Sequence, residues 1–110
     1  PRTGVAMLCA LAPSRTSCGR PPVSCWAICT SRGMSFDAWL YHPQIHWLTG
    51  LARAFPGTPI VLDHVGGPLG IRGYEGRRDE VFAAWKAGMT ELATCPNVHV
   101  KLGGLGMRIN

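Results

Sequence analysis

The chain has 110 residues, a formal net charge of +5 and 46% hydrophobic residues. That suffices for one small domain with a core and falls well short of a complete α/β barrel, which takes roughly 250 residues. The charge does not point to a nucleic-acid partner: the four arginines before Asp37 (Arg2, Arg15, Arg20, Arg32) are scattered among Pro, Ser and Cys, and from Asp37 onward seven basic residues face six acidic ones.

Pro1 to Arg32 shows no helical or strand period, because Pro13, Gly19, Pro21 and Pro22 interrupt each apolar run. Acids are absent from it and Cys9, Cys18, Cys25 and Cys29 crowd into it. Their separations lack a Cys-x-x-Cys pair and no His lies among them, which disfavours a structural zinc site or a disulfide framework. Residues 1–32 are therefore expected to form an atypical segment, disordered or the product of a shifted reading frame. Val5 to Ala12 is apolar but too short to span a bilayer, and Arg2 alone makes a poor signal-peptide charge, so a reducing cytoplasm is the expected location, with no membrane partner.

From Gly33 the pattern sharpens, and residues 33–110 read as one unit. Ser35 to Leu40 reads as a strand with Tyr41, His42 and Pro43 at its carboxyl end. A helix follows, with Ile45, Leu48, Ala52 and Phe55 at steps of three and four, Trp47 and Leu51 widening the face, and Pro56-Gly57 ending it. Pro59 to Asp63 is a second, buried strand, stopped after His64 by Gly66, Gly67 and Pro68. A loop over 69–76 holds Tyr74 and Glu75. A helix over about Arg78 to Thr94 carries Val81, Phe82, Trp85, Met89 and Leu92 on one face, and a third strand over Asn97 to Leu102 leads into Gly103-Gly104. The order is α/β with short connections, which suits right-handed parallel crossovers: about three parallel strands with two covering helices, part of a (β/α)₈ barrel, preceded by an irregular N-terminal third.

Polar residues at the carboxyl ends of parallel strands are the places to look for chemistry. Asp63 and His64 stand at one such end. Alternation lets one of them face inward, and His64 is the expected one; in the alternative reading Asp63 caps the turn and His64 is a hydrogen-bonded interior histidine. Tyr41 and His42 close the strand before it as pocket contacts, or as a packed aromatic and a helix-entry residue. Lys101 lies opposite Val98, Val100 and Leu102, where it either offers charge to an anionic substrate or snorkels to solvent. His42 and His46 are one helical turn apart, but Pro43 intervenes and no glutamate completes a His-Glu-x-x-His site.

The segment Gly33 to Met107, about two-thirds of the chain, with the phrases GMSFDAWLYHPQ, LARAFPGTPIVLDHVGGPLG and GRRDEVFAAWKAGMTELATCPNVHVKLGGLGM, resembles the middle third of the amidohydrolase-related, metal-dependent hydrolases in their lactone-hydrolase-like branch. The resemblance implies a barrel hydrolase acting on a lactone, amide or related carboxylic derivative. It implies that His64 is a catalytic group, as metal ligand or as polarising residue, that Tyr41, His42 and Lys101 contact a small-molecule substrate, and that the full-length relative holds a divalent metal such as zinc. The His-x-His pair and the late aspartate of such barrels are absent. A hydrolytic metal needs several ligands to lower its water's pKa to about 7, so His64 alone makes an incomplete site and the fragment is expected to be inactive by itself, with or without a bound metal. The other reading is a small non-catalytic α/β module or a basic, cysteine-bearing binding protein.

Overall fold

The computed structural model describes residues 7–10 and 31–107. Strands β1 (Met7–Ala10), β2 (Phe36–Trp39), β3 (Ile60–Leu62) and β4 (Val98–Val100) form one sheet in the order β1-β2-β3-β4, with every neighbouring pair parallel. Helix α1 (Ile45–Ala54) joins β2 to β3, and α2 (Arg78–Leu92) joins β3 to β4. The two expected helices are therefore present, and each of the three expected strands is present with slightly narrower bounds.

The sheet has one strand more than expected. Met7 to Ala10 pairs with Phe36 to Trp39, so the N-terminal third, read as irregular, contributes an edge strand to the same sheet as residues 33–110. Four residues are too few for a period of two to register before Pro13 breaks the run, which is why the sequence pattern misses it. Residues 1–6 and 11–30, with Cys18, Cys25 and Cys29, lie outside the described residues, as does the rest of the expectation placed on them.

Parity divides the sheet. Phe36, Ile60 and Val98 are in register, as are Ala38, Leu62 and Val100. The even positions Phe36, Ala38, Leu40, Ile60 and Leu62 are buried together with Ile45, Leu48 and Ala52 of α1 and Leu92 of α2, so this face carries the helices and the core. The odd positions Asp37, Val61 and His99 form the matching row on the opposite face, the helix-free one as far as α1 and α2 are concerned. α1 and α2 meet closely where Gly88 lies against Ile45, since a methyl at Gly88 would sit 3.2 Å from Ile45 Cγ2. Periodicity assigned two more large residues to these helix faces than the neighbours cover: Trp47 is 46% exposed and Phe82 56%. Among the described residues no helix lies over the outer side of β4, and Leu102 is 85% exposed there.

The connections are set by side chains that satisfy helix ends. Pro43 opens a 3₁₀ turn, His42–Gln44, where its missing amide hydrogen is not needed, and Gln44 Oε1 accepts the Tyr41 amide at 3.0 Å before α1 starts. Asp79 and Glu80 lie in the first turn of α2, where carboxylates favour the positive helix end. At the far end of α1, Asn97 Nδ2 lies 3.0 to 3.2 Å from the carbonyls of Ala52, Phe55 and Thr58. One amide thus ties the α1 exit, the entry to β3 and the start of β4.

Candidate functional site

The carboxyl end of β3 does not continue as a strand past Leu62. Asp63–Gly66 forms a 3₁₀-type turn in which His64 (φ 51°) and Val65 (φ 51°) both adopt left-handed backbone, followed by Gly66 and Gly67 with φ of 76° and 48°. For a β-branched residue such as Val65 this conformation costs on the order of 1–3 kcal/mol and needs outside support. Two contacts supply it. The Val65 amide donates to the Lys101 carbonyl at 3.2 Å, and Trp85 Nε1–H of α2 donates to the Val65 carbonyl at 2.6 Å.

This turn changes which residue takes the helix-free face. Asp63 follows Val61 with the same parity, and it is Asp63 that meets Lys101, whose Nζ lies 2.8 Å from Asp63 Oδ1 and 2.7 Å from Asp37 Oδ2. Both carboxylates are largely buried. Strand alternation, on which the inward assignment of His64 rested, stops applying one residue earlier, because His64 already belongs to the turn.

His64 is half-buried, and its imidazole rests on the backbone of Gly104: a Cβ at Gly104 would sit 2.5 Å from Nδ1 and 2.8 Å from Cγ. Gly104 also has φ of 75°, so it serves twice as a glycine. The buried Nδ1 of His64 has no hydrogen-bond partner among the described residues.

Lys101 is committed rather than free. Asp37 first and Asp63 second raise its pKa well above the ordinary lysine value, so it stays protonated and its charge is already compensated. Asp37 and Asp63 had no assigned role as partners. The signal that could have found them is the shared odd parity of Asp37, Asp63 and Lys101, in or next to three neighbouring strands.

Tyr41 and His42 stand at the end of β2, on the same edge of the sheet. The Tyr41 ring packs edge-on to Trp39, with centroids 5.6 Å apart. His42 is buried, and its Nδ1 accepts the Leu69 amide at 3.3 Å while its own amide donates to the Gly67 carbonyl at 3.1 Å. Burial lowers the His42 pKa, and the Gly67 backbone acts weakly against that shift. Tyr74 lies edge-on to His42 at 5.1 Å, and the Arg77 guanidinium sits 5.9 Å from the Tyr74 ring centre. The four expected residues thus have separate neighbours: Lys101 is paired with Asp37 and Asp63, His64 rests on Gly104, His42 packs with Tyr74 and Tyr41 with Trp39.

A zinc-type site does not fit the described residues. No three His, Cys, Asp or Glu side chains among them converge. The two carboxylates beside His64 hold an ammonium, and a metal-bound imidazole ordinarily donates its second N–H to an acceptor, which the His64 Nδ1 lacks.

The comparisons with known proteins agree with this architecture. The amidohydrolase family model matches residues 8–109. The chain is 40% identical over 76 residues to the uncharacterised protein y4mH of Sinorhizobium fredii, covering 69% of this chain and 23% of that protein. It is 40% identical over 72 residues to the L-fucono-1,5-lactonase of Burkholderia ambifaria, covering 66% and 22%. Crystal structures of an amidohydrolase from Burkholderia multivorans superpose with TM-scores of 0.64 (bound HEPES, 29% identity) and 0.62 (bound zinc, 28% identity), each over 73% of this chain and about a quarter of that one. The chain thus spans about a quarter of the length of these relatives, and its sheet and helices correspond to part of their barrel. On the family match and the shared fold, this chain belongs to the amidohydrolase family.

Proposed function

We propose that this chain supplies one sector of the active site of a hydrolase acting on a lactone, amide or related carboxylic derivative, with His64 as the group that engages the scissile carbonyl, and that the chain alone does not turn over. The observation that carries the reading is the seating of His64 on Gly104 at the carboxyl end of β3. With Nδ1 buried and lacking an acceptor, the favoured tautomer keeps the proton on Nε2, because an orphaned buried N–H is costlier than a bare lone pair. Nε2–H is then a donor suited to the oxygen on which charge develops when water attacks the carbonyl carbon. A base is also required to take the proton of that water. Asp37 and Asp63 are poorly suited, since both hold Lys101.

Tyr41 belongs to the same reading as a wall of the substrate site. Lys101 belongs to its floor, fixing the strand ends rather than neutralising a substrate.

The test is a graft. The stretch of this chain that matches the Burkholderia ambifaria lactonase replaces its counterpart there, and lactone hydrolysis is measured for the graft, for its His64→Ala variant and for residues 1–110 alone. The expected result is an active graft, a loss of about 10²–10³-fold on removing His64, and no turnover by residues 1–110. A graft indifferent to His64→Ala overturns the role of His64. Turnover by residues 1–110 that His64→Ala abolishes overturns the need for the rest of the barrel.

A further inference from the structure

We propose that His42 is the positioning residue of the 67–77 segment, latching it to the carboxyl end of β2 only while its ring is neutral. The segment leaves the β3 turn and returns to α2 carrying Tyr74, and His42 meets it three times. The His42 amide donates to the Gly67 carbonyl, the Leu69 amide donates to Nδ1, and the imidazole packs edge-on to the Tyr74 ring. The Leu69 bond requires a neutral ring, whereas the Gly67 backbone favours the protonated one and is outweighed by burial. An amide hydrogen needs the bare lone pair of Nδ1, so a doubly protonated ring has nothing to offer Leu69 and presents a second N–H to it. Approach of the chain at this point is close: a Cβ on Gly67 would lie 2.7 Å from the Leu40 carbonyl oxygen, so the segment is held against β2 with little slack.

The charged groups around the ring do not fix its protonation. Arg77 pairs with Glu80 at 2.6 Å, and Glu75 is taken up by the amides of Arg72 and Gly73 at 2.8 and 2.6 Å. His46 on α1 and Arg78, Asp79, Lys86 and Glu91 on α2 are exposed, and Tyr74 meets the ring through its edge. Burial is the larger influence, and it favours the neutral form. As pH falls below the ring's lowered pKa the ring takes a proton at the expense of the Leu69 bond, and Tyr74 is released with the segment.

The readout is amide exchange rather than turnover, so the latch stands or falls separately from the hydrolase reading. Hydrogen exchange of residues 1–110 is followed by mass spectrometry at about pH 7.5 and about pH 5, corrected for intrinsic rates, with the peptide holding Ile60–Leu62 as reference. For the wild type, exchange in 68–77 should rise by about five- to tenfold at the lower pH while the reference is unchanged. His42→Asn keeps an acceptor that does not titrate and should hold the segment equally at both pH values. His42→Phe keeps the ring edge without the acceptor and should loosen it at both. Equal protection of 68–77 at the two pH values in the wild type overturns the latch, as does full protection in His42→Phe. If His42→Phe unfolds, as the reference peptide would reveal, the wild-type and His42→Asn pair decides alone.

Discussion

Lys101 Nζ lies 2.7 Å from Asp37 Oδ2 although Lys101 directly follows β4 and Asp37 lies in β2, strands separated by β3. The side chain crosses the intervening strand and also meets Asp63, so one ammonium ties residues of three neighbouring parallel strands and the turns that follow them. Replacing it with Lys101→Met should lower the urea midpoint at neutral pH. Because the folded-state pKa of Lys101 is raised, its contribution is complete below the unfolded value of about 10.4 and fades as pH climbs through the folded one. The gap between wild-type and variant midpoints should therefore stay constant from about pH 7 to about pH 9 and narrow above about pH 10.4. A gap that does not change across the alkaline range would show that lost packing, not charge, accounts for the effect. Lys101→Arg should restore stability only in part, since a planar fork does not match two carboxylates on separate strands.

Gly104→Ala tests the seat of His64. The added methyl would overlap the imidazole at 2.5 Å from Nδ1 and force an alanine into φ of 75°. A loss of about 1–3 kcal/mol in chemical denaturation is expected, with displaced His64 ring resonances in NMR. Unchanged His64 resonances would mean that the ring does not rest there.

Ile45 and Phe82 look equivalent in the heptad-like patterns of the two helices, and the structure separates them. Ile45 is fully buried and contacts Gly88, so Ile45→Ala should cost about 2–5 kcal/mol; Phe82 is 56% exposed, so Phe82→Ala should stay within about 1 kcal/mol. Comparable losses from the two substitutions, measured by urea denaturation, would contradict this packing.

Asn97→Ala removes a side-chain donor shared by three carbonyls at the α1 exit, those of Ala52, Phe55 and Thr58. A loss of about 1–3 kcal/mol is expected. Hydrogen exchange should rise first around residues 52–58, and an unaltered pattern there would count against the tie.

Much of this architecture is legible in the residues because burial enforces period. The even-numbered aliphatics of β2 and β3, and Ile45, Leu48 and Ala52 in α1, announce their faces before any coordinates. β1 is not legible, since Met7–Ala10 is shorter than the window in which alternation can be recognised. The positions of Phe82 and Trp47 are not legible either, because a helical stripe records what a helix offers and not how much of it a neighbour covers. For the site, the strand-end position of His64 follows from the pattern, whereas its partners do not. The Asp37–Lys101 contact depends on the register of three strands, and the Leu69–His42 bond depends on a left-handed turn containing Val65, a residue type that gives no warning of it.

The turn at Val65 also bears on the order of events when the chain is made. Its amide is held by the Lys101 carbonyl and its carbonyl by the Trp85 indole, so neither support exists when residues 63–67 first leave the ribosome. β2, α1 and β3 are complete by then and carry most of the buried aliphatic residues. The residues that form most of the core are therefore made before those that support Val65, which belong to α2 and to the stretch just beyond β4. The corner that holds the candidate site thus depends on contacts with residues synthesised after it.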